Sequence, residues 1–111
     1  MKDDTVYVAH ILDSIKDIEE MTEGMDESDF LENKAVRLAV VKSLEIIGEA
    51  SKNVSESFRK KHAAIPWKDI IRMRDKTIHF YFSINYQTVW EAVQRDLPVL
   101  EAALKKSIKN K

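Results

Sequence analysis

Arg74, Asp75, His79 and Tyr81 fall within eight consecutive residues of the stretch "RMRDKTIHFYF" at 72–82. Arg72, Arg74 and Lys76 crowd around one acid there, and the aromatics Phe80, Tyr81 and Phe82 follow His79 directly. These groups could do chemistry together. The unperturbed histidine pKa, about 6.5, allows proton transfer near neutrality. Asp75 could orient the His79 ring and favour its protonated form. Arginine stays charged and grips phosphate with a rigid fork of donors. An Arg–His pair is therefore sufficient equipment for attack by an RNA 2′-hydroxyl on its own phosphate, with His79 moving protons and Arg74 stabilising charge on the phosphoryl oxygens. Such a reaction needs both a base and an acid, so a single motif histidine per chain makes a two-fold site attractive.

Spacing constrains how these side chains can meet. Arg74 and His79 are five apart, about 140° around an ideal helix, and do not share a face. Asp75 and His79, four apart, do, as do Arg74 and Tyr81 if the helix continues. Either the helix ends near His79 or a second chain completes the motif. A structural reading also fits these residues: Asp75 and His79 as an ordinary surface pair, Phe80 and Phe82 as core anchors. His10, on a largely apolar face of the first helix, reads as a packed structural histidine, and His62, after a basic run, as a surface one. Neither has the i, i+4 histidine partner of a helical metal site, and no Gly-rich phosphate loop is present.

The elements around the motif are helical. Two glycines and two prolines in 111 residues leave little material for strand turns. Val8, Ile11, Leu12, Ile15 and Ile18 recur at steps of three and four, which predicts a first helix capped by Asp3 or Asp4 and stopped at Gly24. A second helix is expected from Ser28 to about Val54. Its apolar residues form two stripes, Val36, Val40, Leu44 and Ile47 beside Ala35, Leu38, Val41 and Ile46, a width that suggests more than one neighbour. Ser55 and Phe58 mark a short extra turn. Pro66 suits the first turn of a third helix. Asn85 is a good cap for a last helix through Trp90, Val93, Leu97 and Leu104, kinked by Pro98. The expected architecture is one all-α domain over 1–111, an antiparallel four-helix bundle with a kinked C-terminal helix.

Composition narrows the class. With no cysteine, disulfides and thiolate metal sites are excluded. No run approaches the roughly 18 apolar residues of a membrane span, and "MKDDTVYVAH" lacks the pattern of a signal peptide, so the expectation is a cytoplasmic protein without membrane partners. Net charge is −1, yet residues 1–32 hold 2 basic and 11 acidic residues, and residues 33–111 hold 16 basic and 8 acidic. That asymmetry hints at a polyanionic partner, although oppositely charged helices that attract each other would give it too.

The order Arg74, four residues, His79, one residue, Tyr81 resembles the R-x-x-x-x-H-x-Y motif of HEPN-domain proteins. It is most similar to the HepT toxin family, which is paired with the minimal nucleotidyltransferase antitoxin MntA. "LEIIGEA" at 44–50, "IPW" at 65–67, "MRD" at 73–75, "IHFYF" at 78–82 and "DLP" at 96–98 resemble that family's recurring segments in the same order. The resemblance implies a HEPN-like bundle and a homodimeric endoribonuclease, with tRNA and mRNA as candidate substrates, and the absence of a metal-ligand cluster beside the Arg–His pair predicts metal-independent cleavage. Arg74 and His79 would then be the catalytic pair and Asp75 a supporting polar residue. It also implies that the antitoxin silences the toxin by adenylylating Tyr81, consuming ATP, while the toxin itself needs no cofactor. The alternative is a non-catalytic nucleotide-binding or adaptor module for such a nucleotidyltransferase. Two positions depart from the pattern: Phe80 is bulky where smaller or polar residues often stand, and Asn85 replaces a frequent aspartate cap.

Overall fold

The computed structural model describes residues 3–72 and 84–109, and these are helices joined by short turns. The first helix, α1, spans Asp4–Thr22. Asp3 caps it, its carboxylate accepting the Thr5 N–H at 3.0 Å. Gly24 follows with φ 77°, the left-handed conformation that glycine adopts without a Cβ clash.

The helix expected to run unbroken from Ser28 to Val54 is instead two. α2 spans Glu27–Glu32 and α3 spans Lys34–Asn53. The start is capped by Asp26, not Ser28: Asp26 accepts the Asp29 N–H while Asp29 accepts the Asp26 N–H, a reciprocal capping box. The break falls at Asn33, whose side chain accepts the Val36 N–H at 3.0 Å and so starts a new helix. Tertiary contacts hold the break open. Phe30 is fully buried beside the Trp90 ring, centroids 5.2 Å apart. Arg37 reaches back from α3 to donate to the Leu31 carbonyl and lies over the Tyr86 ring at 4.9 Å.

Helix α4 spans Glu56–Lys61, where a short extra turn was expected, and Ser55 caps it. α5 is described over 67–72, and the Pro66 carbonyl accepts its first helical bond, from Ile70. α6 spans Tyr86–Glu91 under the Asn85 cap, which accepts from both Gln87 and Thr88. The helix then passes without interruption through a π-helical stretch, Ala92–Asp96, into α7, Leu97–Lys109. The irregularity expected at Pro98 thus takes the form of a widened turn just before it. Proline has no N–H and its ring crowds the carbonyl four residues back. Bonds of the i→i+5 type, such as Leu97 N–H to Ala92 O, relieve that crowding while the helix continues.

One hydrophobic cluster draws Val8, Ile11, Ile15 and Ile18 from α1, Val40, Leu44 and Ile47 from α3, Trp67 and Ile70 from α5, and Leu97, Leu100 and Leu104 from α7. The architecture is all-α, with α1, α3, α5 and the α6–α7 rod around a common core. The first apolar stripe of α3 is the buried one. In the second, Val41 is buried, whereas Ala35, Leu38 and Ile46 are exposed. His10, expected to be packed, is exposed and makes only an edge contact with Tyr7, because the core-facing stripe of α1 runs through Val8 and Ile11 on either side of it. His62 is half-buried, its ring 4.5 Å from that of Phe58. Among the described residues, no helix is long and apolar enough to cross a membrane.

Candidate active site

Arg74, Asp75, His79 and Tyr81 lie outside the described residues. The frame that carries them is described on both sides. α5 delivers the chain to Arg72, and the chain re-emerges at Ile84 and Asn85 to enter α6. Both ends of the segment are anchored by burial and capping. Trp67 and Ile70 fix α5 in the core, and Trp67 also donates its indole N–H to the His62 carbonyl at 3.1 Å. At the far end, Val89 is buried and the two Asn85 bonds secure the first turn of α6.

The end of α5 shares a cleft with α6 and the π-turn. Asp69 and Arg72 of α5 line one cleft of about 410 Å³ with Thr88 and Glu91 of α6 and Ala92, Arg95 and Asp96 of the π-turn. The segment bearing the four motif residues therefore follows directly on Arg72, which stands in the wall of this polar cleft. Arg95 is a residue that sequence reasoning passed over. The signals that could have found it are an exposed cation beside "DLP" and a proline inside a helical pattern, since π-turns concentrate at functional sites. The cleft offers two guanidinium groups and three carboxylates, a mixed lining able to engage both phosphate and hydrogen-bonding base edges or sugars. Among the described residues, no three His, Cys, Asp or Glu side chains are grouped so as to hold a metal ion.

Comparison with known proteins assigns this frame. The family model described as "Ribonuclease HepT-like" matches residues 11–107, a span that includes the whole motif, the cleft and most of the core. The chain belongs to the HepT-like ribonuclease family. Among HepT-like relatives, a protein of Caldanaerobacter subterraneus subsp. tengcongensis provisionally named an RNase is 44% identical over 105 residues, covering 95% of this chain and 94% of its own. A Thermococcus cleftensis protein named a probable ribonuclease HepT is 43% identical over 100 residues, covering 90% of this chain and 91% of its own. A Methanocaldococcus jannaschii protein, again provisionally named an RNase, is 44% identical over 97 residues, or 87% of this chain and 80% of its own. No solved structure matches the chain significantly.

Proposed function

We propose that this HepT-like protein is a metal-independent endoribonuclease toxin that works as a homodimer and is silenced by adenylylation of Tyr81. The observation that carries the reading is the Arg74–His79–Tyr81 series, set inside the family-matched span and following Arg72, which lines a polar cleft. In the reaction, the 2′-oxygen attacks the adjacent phosphorus and the bond from phosphorus to the 5′-oxygen breaks. The proton leaving the 2′-hydroxyl goes to an imidazole, and the departing 5′-oxygen takes one from an imidazolium. Two copies of His79 across a two-fold axis supply both roles. Arg74 compensates the charge that gathers on the non-bridging oxygens.

The switch follows from position. Tyr81 stands two residues beyond His79, so an AMP group there adds a phosphate that competes with RNA for Arg74 and bulk that obstructs the site. The partner is a minimal nucleotidyltransferase of the MntA type, which consumes ATP, and the RNA is of the tRNA or mRNA class.

Incubating the purified protein with RNA in EDTA tests the catalytic reading. Cleavage leaving a 2′,3′-cyclic phosphate or 3′-phosphate and a 5′-hydroxyl is expected. His79→Ala and Arg74→Ala should each abolish it with helical circular dichroism intact. Wild-type rates in either variant would remove that residue from the mechanism, and a strict need for a divalent metal would remove the mechanism itself.

A further inference from the structure

We propose that the groove between α4 and the start of α5 binds the sugar-phosphate backbone of RNA outside the cleavage centre, with Arg59 and Lys68 as the phosphate contacts. The inference rests on the ribonuclease reading for the identity of the ligand, but its geometry is independent of the motif. The groove, of about 530 Å³, is walled by Arg59, Lys60 and Lys68 together with the carboxylates of Glu56 and Asp69, with Pro66 and the buried Trp67 also lining it.

Its cations are not explained by helix stability alone. Arg59 and Lys60 stand in the last turn of α4, where the helix dipole favours positive charge. Lys68 does not have that excuse. It is the second residue of α5, at the helix end that favours anions. Among the described residues, neither Arg59 nor Lys68 forms an ion pair, while Lys60 is engaged with Glu56 at 3.2 Å. The Arg59 Nε–H is out of reach of solvent and has no hydrogen-bond partner. A cation placed against the helix dipole, lining one groove with a second cation that has no ion-pair partner among the described residues, fits a site for an anion.

The groove is braced by ring packing and adjoins the cleft lined by Arg72, the two sharing Asp69. Phe58 packs on His62 at 4.5 Å and edge-on to Trp67 at 6.2 Å, locking α4 to α5. Lys68 and Arg72 are four residues apart and share one face of α5, both exposed. Arg72 in turn lines the cleft at which the motif segment leaves the fold. A strip of cations thus leads from α4 along α5 to within two residues of Arg74. A single strand crossing the scissile position would lie along it, held by charge and without base readout.

The test is fluorescence anisotropy with a single-stranded RNA of about 20 nucleotides, longer than one typical single-strand site, in the His79→Ala background so that the probe survives. The double variant Arg59→Glu/Lys68→Glu should bind roughly tenfold or more weakly, and the slope of log affinity against log salt should fall by about 1.4, the release expected for two phosphate contacts. Lys106→Glu, an exposed cation on α7, should change neither quantity. In the otherwise wild-type background, cleavage of a tetranucleotide should keep its kcat while KM for the long RNA rises. Lys68→Glu alone, at an exposed position, keeps the test valid if the half-buried Arg59 variant fails to fold. Unchanged affinity and salt slope in a folded Lys68→Glu protein overturns the proposal, as does loss of nucleotidyltransferase binding with RNA binding intact. Groove-dependent RNA binding by a wild-type protein that cleaves nothing would uphold the groove and sink the nuclease reading. Cleavage of long RNA that ignores both substitutions would do the reverse.

Discussion

Asp4, in the first turn of α1, accepts two hydrogen bonds from Ser55, one from its backbone N–H and one from its hydroxyl, each at 2.7 Å across 51 residues of sequence. The pair sets the start of α1 beside the end of α3, which makes these two helices antiparallel. It also completes the Ser55 hydroxyl, which donates to Asp4 while accepting the Phe58 N–H that begins α4. Asp4→Ala should cost about 1–2 kcal/mol, since both bonds are charge-assisted but solvent-exposed. Ser55→Ala removes one of these bonds together with the α4 cap and should cost a similar amount. Urea denaturation of the two variants checks this. A double mutant whose loss equals the sum of the two single losses would be strictly additive and would deny the coupling.

Phe30 is the anchor that holds the short α2 against α6. Truncating this fully buried ring to alanine should cost roughly 3–5 kcal/mol, most of it from the cavity left beside Trp90. Thermal or chemical unfolding measures it. A loss below about 1 kcal/mol would mean that the surroundings collapse into the gap and that α2 is not pinned from this side.

Glu19 of α1 gives stability a pH dependence. Its carboxyl is held above the ordinary value of 4.5 by desolvation, then by its hydrogen bond to Glu101 and the charge of that group, against the opposing pull of Lys105. The folded protein therefore binds this proton more tightly than the unfolded chain. The resulting stabilisation is complete below 4.5 and fades as pH rises through the raised value. Glu19→Gln keeps a donor toward Glu101 without the repulsion, so it should match or exceed wild-type stability at neutral pH and lose that advantage in acid. Melting temperatures across that range decide it. A difference independent of pH would show that the two carboxyls do not share a proton.

The exposed apolar residues of α3 bear on the proposed dimer. Among the described residues, Leu38 is 37% and Ile46 41% exposed. Leu38→Asp/Ile46→Asp should convert a dimer to a monomer and reduce cleavage at least tenfold, because separated copies cannot share two histidines. Light scattering that finds the wild type monomeric at micromolar concentration would end the two-fold proposal.

Tyr81→Phe distinguishes a switch from a packing aromatic. The variant should keep its fold and much of its activity yet escape silencing by the nucleotidyltransferase. Wild-type protein treated with that partner and ATP should gain the mass of one or more AMP groups, and the variant none. Tyr7 and Tyr86, both half-buried, are internal controls. Modification mapped to either would overturn the assignment.

Local chemistry made much of this protein legible from its sequence. Apolar residues at steps of three and four place α1 and the α6–α7 rod, Asp3, Ser55 and Asn85 each cap the helix they precede, and Gly24 takes the left-handed turn that follows α1. These outcomes depend on groups within a few residues of one another, so the chain alone decides them. The motif residues Arg74, Asp75, His79 and Tyr81 are named from spacing and resemblance and lie outside the described residues. Competition between local signals is settled elsewhere. Ser28 was the expected cap, yet Asp26 and Asn33 do the capping, and the helix breaks at Asn33 where Phe30 meets Trp90 and Arg37 meets Leu31 and Tyr86, contacts with partners up to 60 residues away. His10 and Ile46 are exposed for the same reason: helical periodicity states which residues share a face, but only the packing of other helices states which face is covered. The cleft uniting Arg72 with Arg95, and the groove uniting Arg59 with Lys68, join residues from different helices, and only the tertiary fold could bring them together.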